Sequence, residues 1–127
     1  MRSLDSSAVI AVLRDEPGAA LVARHLPGSL LSTVNYAEVV GALARRGTRP
    51  ADVRTVVAAL ALRIIDLDQE LAFRIGELEA ATRRAGLSLG DRACLALAEK
   101  RAIPALTADR AWTEIGRQTG IEVELFR

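Results

Sequence analysis

Four carboxylates stand apart from the other acids of this sequence. Asp5 follows the short start of the chain, Glu38 lies within NYAEVV, Asp91 within SLGDRACLALA, and Asp109 within LTADRAW. Each falls at or near a predicted helix N-terminus, among small or apolar neighbours. Most of the other acids lie on arginine-rich helical faces and read as solvated surface. Four carboxylates gathered together repel and raise one another's pKa unless positive charge sits among them. Helix N-termini supply part of that charge, and a hard divalent cation supplies the rest. An all-oxygen donor set suits one or two Mg²⁺ or Mn²⁺ ions rather than zinc. The chemistry open to such a site is phosphodiester hydrolysis. One metal lowers the pKa of a bound water, and a second, roughly 4 Å away, stabilises the leaving oxygen.

No nucleophilic side chain is needed for that reaction, and the chain offers few. Cys94 is the only cysteine and His25 the only histidine, which excludes an intramolecular disulfide, a multi-cysteine zinc site and any Ser-His-Asp scheme without His25. Taken singly, each of the four acids also has a purely structural explanation. Asp5 and Asp109 read as N-caps, while Asn35–Glu38 and Ser88–Asp91 have capping-box spacing. Only their joint placement points to a site.

That placement depends on the elements around them. The 127 residues fit one domain, 1–127, and their 50% hydrophobic content excludes disorder. Aromatics make up 3%, so the core must be aliphatic and alanine-rich. Short strand-like runs alternate with amphipathic helices: a strand into the helix AVIAVL, a helix opened by Pro17, the strand Ser29–Thr33, a helix over 34–46 and one opened by Pro50. A third strand over 63–67 leads to the longest helix, 68–85, with Leu71, Ile75 and Leu78 on one face and Glu70–Arg74 and Glu79–Arg83 as supporting pairs. Gly86 ends it, Ser88 caps the next helix, and a strand over 102–108, a helix over 109–119 and a terminal strand complete the chain. The order βααβααβααβαβ predicts an α/β fold with a mainly parallel sheet and about seven helices. In such a fold, helices that follow strands start at one sheet edge, so Asp5, Glu38 and Asp109 are expected on one side. Asp91 follows no strand, and its place there is an inference.

Read together, LDSSAV, the glutamate of NYAEVV, GDRACLALA and LTADRAW resemble the PIN domain, and more narrowly the VapC toxins of VapBC toxin–antitoxin modules. The resemblance runs the length of the chain, with the four motifs in the family's order. It implies a three-layer fold around a central parallel five-stranded sheet, and a Mg²⁺- or Mn²⁺-dependent endoribonuclease that cuts RNA such as tRNA or rRNA. It carries the acidic quartet onto Asp5, Glu38, Asp91 and Asp109, with Ser6 or Ser7 and Thr107 as supports. It also implies a homodimer and a cognate VapB-type antitoxin that inserts a peptide into the acidic cleft. Many relatives carry a further acid shortly after the last aspartate. Here Ala111 and Trp112 stand nearby, and Glu114 is a poor substitute, which bears on the second metal.

Arg92 and Arg110 each directly follow a predicted ligand, so either could contact an RNA phosphate or serve as an intramolecular partner. The pair Asp66 and Asp68 reads as a helix cap rather than a phosphatase motif, Cys94 and Trp112 as core, and His25 as surface. Lys100 is the only lysine among seventeen basic residues. The net charge of +1 argues against a polybasic nucleic-acid arm. If the quartet faces inward, however, seventeen basic groups meet twelve acids elsewhere. No run is long and apolar enough to span a membrane, and no signal peptide is visible, so a cytoplasmic protein is expected. Two other readings compete: a non-catalytic PIN-like interaction module, and four unrelated helix caps.

Overall fold

The computed structural model describes residues 1–127. In chain order it comprises β1 (Ser3–Leu4), α1 (Ser6–Arg14), α2 (Ala19–His25), β2 (Leu30–Ser32), α3 (Thr33–Arg45), α4 (Pro50–Ala58) and β3 (Arg63–Ile65). Then follow α5 (Gln69–Glu77), α6 (Glu79–Thr82), α7 (Leu89–Arg101), β4 (Ala105–Thr107), α8 (Trp112–Thr119) and β5 (Val123–Leu125). The five strands form one sheet in the order β3-β2-β1-β4-β5, and every pairing is parallel. The expected α/β architecture is therefore present, with eight helices rather than about seven.

The strands are short, yet their side chains alternate as a sheet buried on both faces requires. Leu30 and Ala105 face one core cluster, shared with Leu71, Ile75, Leu78, Leu95 and Trp112. Leu31 and Leu106 face the other, shared with Val9, Val22, Val39, Val53 and Phe126. One layer is thus built from α1 to α4 and the other from α5 to α8. In α7 every residue from Ala93 to Ala98 is buried, so the middle of this helix is apolar around its whole circumference. Its small side chains allow close approach to both α3 and α5.

Several boundaries differ from the sequence reading. The long helix predicted over 68–85 is broken at Leu78 into α5 and α6. The backbone bonds of Leu78 itself persist, to the Arg74 carbonyl at 3.0 Å and from the Thr82 N–H at 3.1 Å, while the Ile75 carbonyl, the helical acceptor for Glu79, takes the Arg92 guanidinium at 3.0 Å. The longest helices are instead α3 and α7, with 13 residues each. Leu71, Ile75 and Leu78 are buried as expected, and Glu79–Arg83 pair at 3.9 Å. Arg74, however, reaches across to Glu99 at 2.7 Å and along its helix to Glu77, and makes no pair with Glu70. Pro17 lies in the turn before α2, not in its first turn, because Gly18 adopts a left-handed conformation that only then lets the helix begin. Gly86 and Gly120 take the left-handed positions predicted for helix ends.

Candidate active site

The carboxyl edge of the sheet is where β1, β2 and β4 each hand over to a turn or helix, and the motif residues converge there. Asp5 occupies the N-cap position of α1, but its side chain caps nothing. Its Oδ2 instead accepts hydrogen bonds from the Ser7 hydroxyl at 2.7 Å and the Thr107 hydroxyl at 2.9 Å. Ser7, and not Ser6, is thus the serine that supports the first aspartate. Only 5% of Asp5 is exposed. Burial, and behind it the charges of Asp91 and Glu38, push its pKa from the ordinary 3.8 up to about 6, while the two hydroxyls pull it down. Two of the other acids are therefore close enough to act on Asp5.

Glu38 does not open its helix. Ser32 is the N-cap of α3, and its side chain accepts from the Asn35 backbone N–H, so Asn35–Glu38 is no capping box. Asn35 is fully buried; its Nδ2 donates to Glu38 Oε1 at 2.9 Å and to the Gly90 carbonyl at 3.0 Å. The Ser32 hydroxyl donates to Asn35 Oδ1 at 2.6 Å and fixes the amide orientation. Asn35 thus aims Glu38 and ties α3 to the start of α7. The sequence pattern reads as a cap, and its one hint of another role is an amide one helical turn before an acid. Gly90 is the counterpart of this contact, since a Cβ there would lie 2.6 Å from Glu38 Cδ.

Asp91, half-buried, completes a capping box: its Oδ2 accepts from the Ser88 N–H at 2.8 Å, and its own N–H donates to the Ser88 hydroxyl. Asp109 is exposed and precedes α8, whose N-cap is Ala111. Its Oδ1 accepts from the Ala111 N–H at 3.0 Å, closing an Asx turn, and its N–H donates to Thr107 Oγ1 at 3.1 Å. Thr107 therefore links Asp109 to Asp5 through one hydroxyl. Of the four acids, Asp91 is the only one that caps a helix in the way the structural explanation supposes.

All four share one feature. Asp5, Glu38, Asp91 and Asp109 each take their scaffold hydrogen bonds on a single oxygen, and the second oxygen makes no hydrogen bond. None of the nine ion pairs of the molecule involves any of them. The oxygen-only donor set, held from behind and without a protein cation, fits a hard divalent ion. As the side chains stand, no three of them close into a metal shell.

Arg92 is committed elsewhere. It is 14% exposed, donates to the Ile75 carbonyl at 3.0 Å and pairs with Glu79 at 3.2 Å, clamping α7 to α5 and α6. Arg110 is exposed and has no side-chain partner. Glu114 pairs with Arg117 at 3.1 Å. Trp112 and Cys94 are fully buried, as read, and His25 is half-buried rather than on the surface.

The model of the PIN domain matches residues 3–118 of this sequence. The chain belongs to the PIN-domain family. Within that family it is of the VapC type. It is 33% identical over 118 residues to the ribonuclease VapC of Mycolicibacterium smegmatis, a match covering 86% of this chain and 92% of that protein. Its fold is similar to a chain of a toxin–antitoxin complex from Klebsiella pneumoniae, with a TM-score of 0.76 at 21% identity over 98% of this PIN domain and 96% of that chain. A chain of DNA-bound VapBC from Salmonella typhimurium superposes with a TM-score of 0.71 at 19% identity, over 98% and 96% of the two chains. These likenesses place the acids of this PIN domain on a fold shared with toxin–antitoxin complexes.

Proposed function

We propose that this PIN domain is a metal-dependent endoribonuclease and the toxin of a toxin–antitoxin pair. The observation that carries the reading is the arrangement of the four acids: each is anchored by one oxygen and keeps the other free, with no arginine or lysine among them. Asp5, Glu38, Asp91 and Asp109 would hold Mg²⁺ or Mn²⁺, as one ion or two. Such an ion supplies a lowered pKa for bound water and electrostatic stabilisation of a phosphodiester transition state. The ribonuclease name of the relative from Mycolicibacterium smegmatis supports the same chemistry.

The side chains have separable tasks. Ser7 and Thr107 donate to one oxygen of Asp5, which orients the carboxylate and favours its ionised form. Asn35 orients Glu38, and Ser88 orients Asp91. Arg110, adjacent to Asp109 and unpaired, would be free to neutralise an RNA phosphate, whereas Arg92 is locked to Ile75 and Glu79. Glu114, engaged with Arg117, is left out of the proposed ligand set.

An antitoxin partner is supported by the structural neighbours, which are chains of toxin–antitoxin complexes. A VapB-type antitoxin would silence the toxin, the toxin would act as a homodimer in the cytoplasm, and its substrate would be tRNA or rRNA. No helix is long and apolar enough to cross a membrane. The decisive experiment assays cleavage of total RNA with Mg²⁺ or Mn²⁺ by the wild type and by Asp5→Asn. Cleavage is expected from the wild type alone and is expected to stop with EDTA. Full activity in Asp5→Asn, or cleavage that survives EDTA, rejects the assignment. Calorimetric titration with Mn²⁺ separates it from a purely structural use of the acids, which would give no binding heat.

A further inference from the structure

The largest hollow of the molecule, about 520 Å³, lies between α6 with its following turn and α8, and none of the four acids lines it. It nonetheless begins at the acidic edge, because Ala111, one of its walls, is the residue whose N–H holds Asp109 Oδ1 at 3.0 Å. Its volume lies within the range of small-molecule sites, roughly 300–1,000 Å³. The rest of the wall is apolar and mostly small, with Ala80, Ala81, Ala85 and Ala111 beside the buried Ile115. Two polar side chains reach into it without any partner in the protein, the exposed guanidinium of Arg84 and the exposed carboxamide of Gln118. Glu114 is the one acid in the lining, and Arg117 neutralises it at 3.1 Å.

We propose that this groove holds the nucleotide next to the bond being cut, with Arg84 on its phosphate and Gln118 at the edge of its base. The proposal rests on the nuclease reading for its substrate class and adds the direction in which the RNA strand leaves the acids. The chemistry favours a single RNA strand over a protein segment. Protein anchors need deep pockets for large side chains, whereas an alanine-walled slot with an unpaired guanidinium suits a flat base and a phosphate. A free arginine also presents the fork that phosphate oxygens match. Gln118 can both donate to and accept from a base edge, so it adds sequence preference where Arg84 adds only affinity.

The test uses the full chain and a short fluorescein-labelled single-stranded RNA, with Ca²⁺ replacing Mg²⁺ during binding and Mn²⁺ added for cleavage. Arg84→Glu is compared with Arg54→Glu, which alters an equally exposed and unpaired arginine on α4. Arg84→Glu is expected to weaken binding about tenfold and to lower the salt slope by about 0.7, the share of one phosphate contact on a single strand. Arg54→Glu should stay within about twofold, because its charge is screened from the groove. Gln118→Ala should bind nearly as the wild type does but shift which bonds are cut. Equal weakening by the two glutamate variants, or wild-type binding and an unchanged cleavage pattern in all three, overturns the proposal, and either result is also what a protein-binding groove would give. Weakened binding by Arg84→Glu alone, in a chain that cuts no RNA with Mn²⁺, would uphold the groove and reject the nuclease reading.

Discussion

Acids on the α5–α7 flank and acids at the carboxyl edge of the sheet are the same residue types put to opposite uses. On the flank, Glu99 pairs with Arg74 at 2.7 Å, Asp68 with Lys100 at 3.3 Å, and Glu79 with Arg92 at 3.2 Å. The bonds from Arg74 hold the Glu99 pKa below the ordinary carboxylate range, and the Leu71 N–H does the same for Asp68. At the sheet edge, Asp5 is buried beside Asp91 and Glu38, its pKa is raised, and no cation answers it. The flank has its charge compensated by the fold. At the edge the fold supplies no compensating cation. On the proposed metal-binding reading, this strain is what keeps the acids open to a cation, at a cost to the stability of the chain itself.

Removing the strained charge breaks the contrast most severely. Asp5→Asn should lower RNA cleavage by more than the roughly hundredfold typical of losing an outer-shell partner, because Asp5 would itself be a ligand. The same variant should raise the melting temperature of the metal-free protein near neutral pH, since the amide can still accept from Ser7 and Thr107 without a charge to desolvate. Added Mn²⁺ should then stabilise the wild type and leave the variant unmoved. A variant that melts below the metal-free wild type would contradict the idea of stored strain.

The pH dependence follows with a definite sign. Between the unfolded value of 3.8 and the folded value of about 6, the folded chain binds the Asp5 proton more tightly than the unfolded chain. Stability attributable to this group is therefore greatest below that window and falls as pH rises through it, by up to about 3 kcal/mol. Urea unfolding of the wild type and Asp5→Asn across the window isolates this contribution as the difference between the two curves. A difference that does not change with pH would remove Asp5 as its source.

The positioning network should respond less strongly. Asn35→Ala removes the bonds to Glu38 and Gly90 and leaves a buried carbonyl without its donor, a loss of about 1–3 kcal/mol in unfolding experiments. Gly90→Ala leaves the fold nearly unchanged, because the end of the Glu38 side chain can move aside, yet it displaces that carboxylate. Cleavage should drop about tenfold while the melting temperature holds, the low end for disturbing such a group. On the flank, Arg74→Ala breaks a half-exposed pair and should cost under about 1 kcal/mol, with cleavage unaffected. If Arg74→Ala impaired cleavage as strongly as Gly90→Ala, the division between the two regions would be lost.

Much of this was legible in the residues. The alternation of strands and helices, the terminating glycines at Gly86 and Gly120, the Ser88 cap and the core face of Leu71, Ile75 and Leu78 all follow from local preference and period. The long helix breaks at Leu78 where the Arg92 guanidinium, 17 residues away, takes the Ile75 carbonyl, a contact invisible to periodicity. Asn35 has a cap-like position in the sequence, but its contact with Gly90, 55 residues away, decides its role.

The sequence by itself determined which acids were available, and that three of them would follow strands of a parallel sheet and so share an edge. Local hydrogen-bond chemistry and period suffice for that, since both act over a few residues. Only the tertiary structure decided that Thr107 would lock Asp5 across 102 positions of chain, that Asn35 would aim Glu38, and that Arg92 would be clamped against Ile75 and Glu79. Which oxygen of each carboxylate is tied down, and which is left free, depends on the partner that packing brings alongside. Contacts between distant residues exist only once both layers of helices have closed on the sheet.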